Sequence, residues 1–269
     1  MDRSKLKNII ILILAIANLC LLGAIGWRVT EERAARERTA QELTERFARQ
    51  NVALTAQLPD KTPPAGVTLT RSTDHDAALA RALLGEQAAA RDLGGGIYRY
   101  SSEAGRGAFR SGGSFEITGR LGSGDAESFC RKLCREFGYE EFTMELDENG
   151  TGTGSGSALQ YFNGLPVIHA EVRFQVEEGI LTAVQGVALP NAAAGSEDSD
   201  AMTAATALTL FLEDCRATGA VVSAVTAVTP CYELQSTAAA PMTLSPAYRI
   251  TADSGDFYVS CSAGKVTRG

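Results

Sequence analysis

One long apolar run near the N-terminus limits how this chain can fold more than any other feature. The run Ile9–Trp27, IIILILAIANLCLLGAIGW, is 19 residues long, carries no charge and holds one strongly polar side chain, Asn18. A helix needs about 20 apolar residues to cross the hydrocarbon layer of a bilayer. Two lysines precede the run, and Trp27 and Arg28 stand where an aromatic ring and a long cation meet the far interface. We therefore expect a transmembrane helix over residues 9–27.

A cleaved signal peptide is the alternative interpretation of the same run. Ala24-Ile25-Gly26 loosely fits a small-x-small cleavage site. The run is longer than the apolar region of a signal peptide, which has about 7 to 15 residues, and this favours the anchor. Basic residues flank both ends, so charge does not decide the orientation. The short basic tail, residues 1–8, is typical of a signal anchor, and we expect it in the cytoplasm, with the large C-terminal part outside the cell membrane.

Composition indicates a folded, acidic protein. The chain has 269 residues, 45% of them hydrophobic, which is enough to bury one large core or two small ones. Its net charge is -7 and its pI is near 5.0. Binding to nucleic acid or to other anionic polymers requires clustered Lys and Arg, and no such cluster is visible in the sequence after residue 60. Nucleic acid and acidic partners are therefore disfavoured.

The segment 28–66 predicts a helix that continues out of the membrane, followed by a proline linker. Leu43, Phe47 and Leu54 form a thin apolar stripe at helical spacing in a sequence rich in Glu, Arg, Ala and Gln. Such a helix is either a solvated stalk or one that pairs with a neighbouring helix. Three prolines between residues 59 and 64 end it.

The remainder predicts an α+β fold of two tandem modules, each an antiparallel sheet with helices packed on one face. The first module is placed at 67–147, a Gly/Ser linker at 148–157 and the second module at 158–269. Each module combines strands of alternating hydrophobicity, a helix with a capping residue and further strands. An order of strands and helices without regular alternation excludes a doubly wound sheet.

No catalytic, cofactor or metal motif is present. The chain has no phosphate-binding loop, nucleophile elbow or H-E-x-x-H motif. Of its two histidines, His75 is predicted in the exposed first turn of a helix. His169 follows the polar face of an alternating strand, with Glu171 and Arg173, and is predicted to be a surface residue. We therefore expect a non-enzymatic protein without cofactor or metal.

The six cysteines behave mostly as small core residues. Cys130, Cys134 and Cys215 fall on apolar helix faces. Cys231 and Cys261 are both in predicted strands, and they are the one pair for which the sequence leaves a disulfide open.

Several local motifs resemble one family. The matching elements are the turn Asn163-Gly164-Leu165-Pro166, a hairpin with Gly179 at its tip, the strand Pro246-x-Tyr248-Arg249-Ile250, and the ending with Phe257-Tyr258-Val259 and Gly264. Together with the anchor, they resemble the YycH/YycI family, membrane-anchored accessory regulators of the WalK (YycG) sensor histidine kinase of Gram-positive bacteria. The closing pattern is also similar to PepSY-type domains.

The resemblance implies a cell-envelope regulator without catalytic activity, which acts on the membrane helices of a sensor histidine kinase. It also implies a paralogous accessory regulator as a further partner, in a hetero-oligomer. A helix face formed by Ala15, Asn18, Leu22 and Gly26 is a candidate for such docking, because an intramembrane Asn is costly unless it is hydrogen-bonded. The alternative is a simple lipid-facing anchor.

The sequence leaves two other functions open. One is a PepSY-like inhibitor or ligand-binding module for an exported peptidase, and the other is a membrane-tethered hydrolase.

Overall fold

A single continuous helix forms the N-terminal arm in the computed structural model of the chain. The structure describes residues 3–59, 62–122, 125–147, 152–190, 193–197, 202–237 and 240–269. Within these ranges, no helix combines the length and apolarity needed to cross a bilayer. The structure therefore does not support the transmembrane helix predicted at 9–27, and this segment lies inside the longer helix Arg3–Ala48.

The fold is a mixed α+β fold with extensive sheet and few helices. In chain order the described elements are α1 (Arg3–Ala48), β1 (Ala53–Leu54), β2 (Gly66–Leu69), α2 (Thr73–Leu84), β3 (Ala89–Asp92), β4 (Tyr98–Ser101), β5 (Gly105–Phe109), β6 (Ser114–Leu121), α3 (Ala126–Phe137), β7 (Tyr139–Leu146), β8 (Gly154–Phe162), β9 (Leu165–Glu177), β10 (Ile180–Val187), β11 (Ala193–Glu197), α4 (Ala204–Thr218), β12 (Ala224–Thr237), β13 (Ala240–Ala252), β14 (Gly255–Ser260) and β15 (Val266–Arg268).

The first sheet has the strand order β7-β8-β9-β10-β6-β5-β4-β3, and α2 and α3 cover one of its faces. Both helices begin at a side-chain cap: the Ser72 hydroxyl accepts from the backbone N–H of His75, and Asp125 accepts from that of Ser128. Such caps satisfy backbone donors that a helix leaves open. The apolar face of α3 is buried as the spacing predicts, with Leu133 and Phe137 in the core.

The second sheet has the order β11-β2-β13-β12-β9, and β14 and β15 extend it beside β13. Its core lies under α4, where Phe211 meets Phe257 edge-on, with 5.0 Å between ring centroids. Tyr248 is fully buried and donates its hydroxyl to the carbonyl oxygen of Met202. This bond satisfies the polar end of an otherwise apolar side chain.

The end of α1 is part of the second core. Leu43 is 5% exposed and Phe47 is 0% exposed, and both pack with residues of α4. At the helix surface, Arg46 Nη2 donates to Glu213 Oε1 at 3.1 Å. Leu43 and Phe47 of the predicted stripe are therefore covered by a helix of the same chain, and the C-terminal end of α1 is not a solvated stalk. Leu54, predicted on the same helix, lies in β1, because α1 ends at Ala48.

Strand β9 belongs to both sheets and changes partner at His169. Its beginning pairs in parallel with β12 at Val167 and Ile168, whereas its end pairs with β10 from Val172 onward. Between these segments His169 has φ +66°, a left-handed conformation that is uncommon for residues other than glycine. Val167 and Ile168 are both buried, so the simple alternation predicted for this strand breaks here.

The division into modules differs from the prediction. Strands β8 to β10, predicted in the second module at 158–269, pair within the first sheet, and β9 supplies Val172, Phe174 and Val176 to the core under α2 and α3. Conversely, β2 precedes the first helix of its predicted module but pairs with β13. Part of the predicted linker, 154–157, is strand β8. The physical reason is that β7 pairs with β8 and not with β6 in the described ranges, so β8 to β10 lie between them and complete the apolar surface under α2 and α3.

Two hairpin turns follow the sequence closely. Asn163 and Gly164 have φ of +50° and +76° between Phe162 and Leu165, which are paired. Glu178 and Gly179 have φ of +51° and +74° at the next hairpin. Positive φ at both central residues matches the right-handed twist of the flanking strands, and glycine adopts it without a Cβ penalty.

The cysteines are free thiols. Cys231 and Cys261, the pair for which a disulfide was left open, are both buried and unbridged. Cys231 of β12 is opposite Ala247 of β13, which is opposite Ser260 of β14, the residue before Cys261. Strand β13 therefore lies between Cys231 and the end of β14, and two strand spacings amount to about 9–10 Å, whereas a disulfide needs Cα atoms within about 7 Å. Burial raises the pKa of Cys231 to about 12 and that of Cys261 to about 11.

His75 is less exposed than its position in the first turn of α2 predicts. It is half-buried, and its ring meets Phe137 of α3 edge-on, with 5.6 Å between centroids. Burial lowers the pKa of His75, and the neighbouring Asp76 carboxylate partly opposes this shift.

We expect acidification to destabilise the protein through His75. The unfolded chain takes up this proton at about pH 6.5, whereas the folded chain does so only at lower pH. In that window the unfolded state binds more protons, so stability rises with pH and is lost as pH falls. The denaturant midpoint of His75→Gln should vary less than that of the wild type between about pH 7 and about pH 5. His169→Gln is the control, and equal flattening by both variants would contradict the assignment.

Candidate functional site

A polar groove runs across the face of the first sheet that the helices leave open. Its main part has a volume of about 580 Å³ and is lined by side chains of β6 to β10, among them Glu116, Thr143, Glu145, Glu171, Arg173 and Gln185. A contiguous part of about 520 Å³ shares four of these and continues to Arg110 and His169. We call the two parts together the sheet groove.

Cross-strand register aligns the side chains of the groove in a row. Thr143 faces Ser157, Ser157 faces Arg173, Arg173 faces Gln185, and Gln185 faces Glu116. Directly opposite residues of neighbouring strands lie on the same face, with Cβ atoms about 4.5–5.5 Å apart. The groove floor therefore presents five polar side chains in succession across five strands.

The sheet groove contains side chains of both positive and negative charge. Arg173 Nη2 donates to Glu171 Oε2 at 3.0 Å, and this bond raises the pKa of Arg173. Glu116 and Glu145 add two further carboxylates. Alternating donors and acceptors on an open sheet suit an extended polar ligand that lies along the row of side chains. No three His, Cys, Asp or Glu side chains in the described ranges lie close enough together to hold a metal ion.

His169 is exposed, as predicted, but it lines the groove. It stands beside Arg110 and Val187, and its ring centroid lies 6.3 Å from that of Tyr258. Because β9 changes sheets at this residue, His169 marks the seam between the two sheets. Period-two alternation cannot indicate such a position, since it places the residue on a face and says nothing of the strand's partners.

A second polar cluster ties the two sheets together at the seam. Tyr161 donates its hydroxyl to Glu141 Oε1 at 2.6 Å, and Arg249 Nη2 of β13 donates to the same oxygen at 3.3 Å. The bond from Tyr161 and the charge of Arg249 lower the pKa of Glu141. Burial, followed by the bond to Glu141, raises the pKa of Tyr161 to about 12. Glu141 reaches this position because β7 is bulged there, with φ +51°.

The residues predicted as a partner-binding face lie in α1. Asn18 is exposed, and its side-chain amide donates to the carbonyl oxygen of Leu14 at 2.9 Å. Leu22 is 66% exposed. The side chain of Ala15 and the surroundings of Gly26 are outside what the structure describes. The sheet groove does not involve this face.

The residues that carry the resemblance lie in turns and strands of the fold. Asn163, Gly164 and Gly179 form turns, and Pro166 and Tyr248 are buried. Pro246 faces Tyr232 across β12 and β13. Gly264 adopts φ +62° in the last turn, and Tyr258 contacts His169 at the seam.

The fold and the groove define a two-sheet α+β protein with a helical N-terminal arm and an open polar sheet face. No known family matches the chain, and no curated protein matches it in sequence.

Three solved structures are similar in fold at low identity. An uncharacterized protein from Eubacterium rectale has 10% identity and a TM-score of 0.45, with 81% of this chain and 90% of that chain covered. The YpeB C-terminal domain of Bacillus megaterium has 10% identity and a TM-score of 0.37, with 74% and 98% covered. YycH from Bacillus subtilis has 11% identity and a TM-score of 0.39, with 79% and 53% covered.

Proposed function

We propose that this protein is a non-enzymatic accessory regulator of a cell-envelope sensor histidine kinase. In this proposal residues 9–27 cross the cell membrane, the tail 1–8 is cytoplasmic, and the two-sheet part is extracytoplasmic. The observation that carries the proposal is the continuity of α1, which runs without interruption from Arg3 into the core of the second sheet.

Continuity matters because a helix that ends in a packed core cannot rotate or shift independently of that core. Phe47 and Leu43 fix the C-terminal turns of α1 against α4, and Arg46 pairs with Glu213 beside them. A ligand or partner that displaces the second sheet therefore displaces the helix. Protein interiors are close-packed and transmit such shifts.

The seam extends this coupling to the first sheet. Glu141 and Tyr161 of the first sheet bind Arg249 of the second, and β9 continues through both. Binding in the sheet groove can thus act on α1 through hydrogen-bonded strands.

At its other end, α1 offers Leu22 and Asn18 to a partner helix. The bond from Asn18 to Leu14 reduces the cost of holding the amide in lipid, and a partner must compete with it. Polar contacts between membrane helices contribute about 1 kcal/mol each. In this proposal the partner helix therefore packs against Leu22 and accepts a hydrogen bond from the side-chain amide of Asn18.

A crosslinked pull-down from host membranes tests the proposal. The full-length protein should capture a sensor histidine kinase, and a chain whose residues 1–28 are replaced by an unrelated anchor should not. Asn18→Leu should reduce capture and change kinase output. Capture of a kinase by both chains would assign the contact to the sheets instead of the helix, and capture by neither would overturn the proposal.

The sheet groove favours a second candidate, a PepSY-like ligand-binding module or inhibitor of an exported peptidase. Its open row of donors and acceptors suits an extended peptide. In the same pull-down this candidate predicts a secreted peptidase that is captured irrespective of the anchor. Hydrolase activity, the remaining alternative, would depend on the groove carboxylates and should be lost in Glu116→Gln or Glu145→Gln.

A further inference from the structure

Five arginines cluster on the open face of strands β3 to β6, at the end of the first sheet away from β7. All five are exposed, and we call them the arginine face: Arg91, Arg99, Arg106, Arg110 and Arg120. They alternate along their strands with the buried side chains Tyr100, Phe109 and Leu121, which pack under α2 and α3. The arginines therefore project from the face that no helix covers.

Register brings these side chains together although they are far apart in sequence. Arg91 is directly opposite Arg99, and Arg106 faces Thr118 on the strand that carries Arg120. The backbone N–H of Leu93 donates to Ile97, so the alternation of the antiparallel ladder makes Arg91 and Arg99 a hydrogen-bonded pair. Their Cα atoms are then about 5.5 Å apart, and the four strands span about 14 Å.

The arginine face has almost no internal counter-charge. Glu116 is the one acidic residue on the same side of β3 to β6 in the described residues. None of the five arginines forms an ion pair within the part of the chain that the structure describes. Like charges directly opposite each other destabilise a sheet, so the pair of Arg91 and Arg99 is unfavourable unless an anion neutralises it.

The arginine face is a local argument against the expectation, drawn from net charge, that acidic partners are disfavoured. A net charge of -7 describes the whole chain, whereas a binding surface depends on local charge. The cluster cannot be seen in the sequence, because its members lie at least four positions apart and are brought onto one face by strand pairing.

We propose that the arginine face binds a soluble linear polyanion with repeating phosphate groups. A guanidinium presents a planar fork that pairs with two phosphate oxygens and stays charged at all physiological pH values. Arg91 and Arg99 are directly opposite each other, and Arg106 and Arg120 are each displaced by two residues along the next strand, so these four cations form a diagonal row with steps of about 5 to 8 Å. A polyanion that follows this diagonal meets a cation on each of the four strands. A single added peptide strand at the edge would reach only the arginines of β3 and β4.

Binding of the full-length protein to labelled long-chain inorganic polyphosphate tests the proposal, with fluorescence anisotropy measured at several salt concentrations. The double variant Arg91→Ser with Arg99→Ser should bind about tenfold more weakly at about 50 mM salt, and the slope of log K against log salt should fall by about two. Arg81→Ser with Arg135→Ser is the matched control, because it removes the same charge from exposed positions on α2 and α3. The control should stay within about twofold of the wild type.

Four outcomes would overturn the proposal. Absence of binding by the wild type, or equal weakening by both double variants, would mean that the face is not a site. Tighter binding of polyglutamate than of polyphosphate would identify a carboxylate ligand. Binding of vesicles rich in anionic lipid without binding of polyphosphate would identify a lipid surface.

Discussion

Phe47→Ala is expected to lower the free energy of unfolding by about 3–5 kcal/mol, the largest loss that we predict for a single apolar truncation. Phe47 is fully buried between α1, α4 and the second sheet, and its removal leaves a cavity that a close-packed core fills only in part. The loss should appear in chemical denaturation, and amide hydrogen exchange should accelerate in α4 and in the last turns of α1.

Two leucines of the same helix give a matched comparison. Leu43→Ala, at a buried position, should cost about 2–5 kcal/mol, whereas Leu22→Ala, at an exposed one, should cost less than about 0.5 kcal/mol. If Phe47→Ala left stability and exchange unchanged, α1 would not be anchored in the second core. The coupling through α1 would then have no structural basis.

Asp76→Leu is expected to destabilise the protein by about 3 kcal/mol, because it leaves Arg71 partly buried without its counter-ion. Arg71 Nη2 lies 2.7 Å from Asp76 Oδ2, and the side chains are 16% and 5% exposed. Burial raises the pKa of Asp76, and the bond from Arg71 opposes this shift. The raised pKa means that the ionised carboxylate is costly here, so it is the orphaned arginine, more than the lost carboxylate, that destabilises the variant.

A double variant separates these effects. Arg71→Met combined with Asp76→Leu should recover most of the loss, since well-packed apolar groups often replace a buried ion pair at little cost. A residual loss of about 1 kcal/mol is expected from the hydrogen bond between Arg71 and the carbonyl oxygen of Gly96. The denaturant midpoints of the wild type, the two single variants and the double variant test this double-mutant cycle. Simple additivity of the two single effects would contradict the explanation.

Local structure could be predicted wherever it depends on neighbouring residues. The capping Ser and Asp residues, the apolar face of α3 and the positive-φ turn at Asn163 and Gly164 follow from short-range rules. The mixed α+β class follows from the same elements. The pairing of β2 with β13, and of β8 to β10 with the first sheet, depends on how distant segments share a hydrophobic core. A local sequence pattern contains no information about such long-range contacts.

The candidate site was harder to predict than the fold. The polar residues of the sheet groove come from five strands, and their alignment is a property of register. His169 could be assigned to the surface from alternation, but its left-handed backbone and its place at the seam arise from a strand that changes partner. The arginine face shows the same limit, because charge counted along a chain does not show charge gathered across a sheet.

The strand shared by both sheets, β9, has a practical consequence for dissecting this protein. A fragment that ends in the glycine-rich tract before β8 would lose three strands from the core under α2 and α3, and one that begins there would carry those strands without their helices. Neither fragment would contain a complete hydrophobic core. The two halves must therefore be expressed and folded as one chain. A truncated chain would lose activity because it misfolds, so its loss of activity would not locate the functional site.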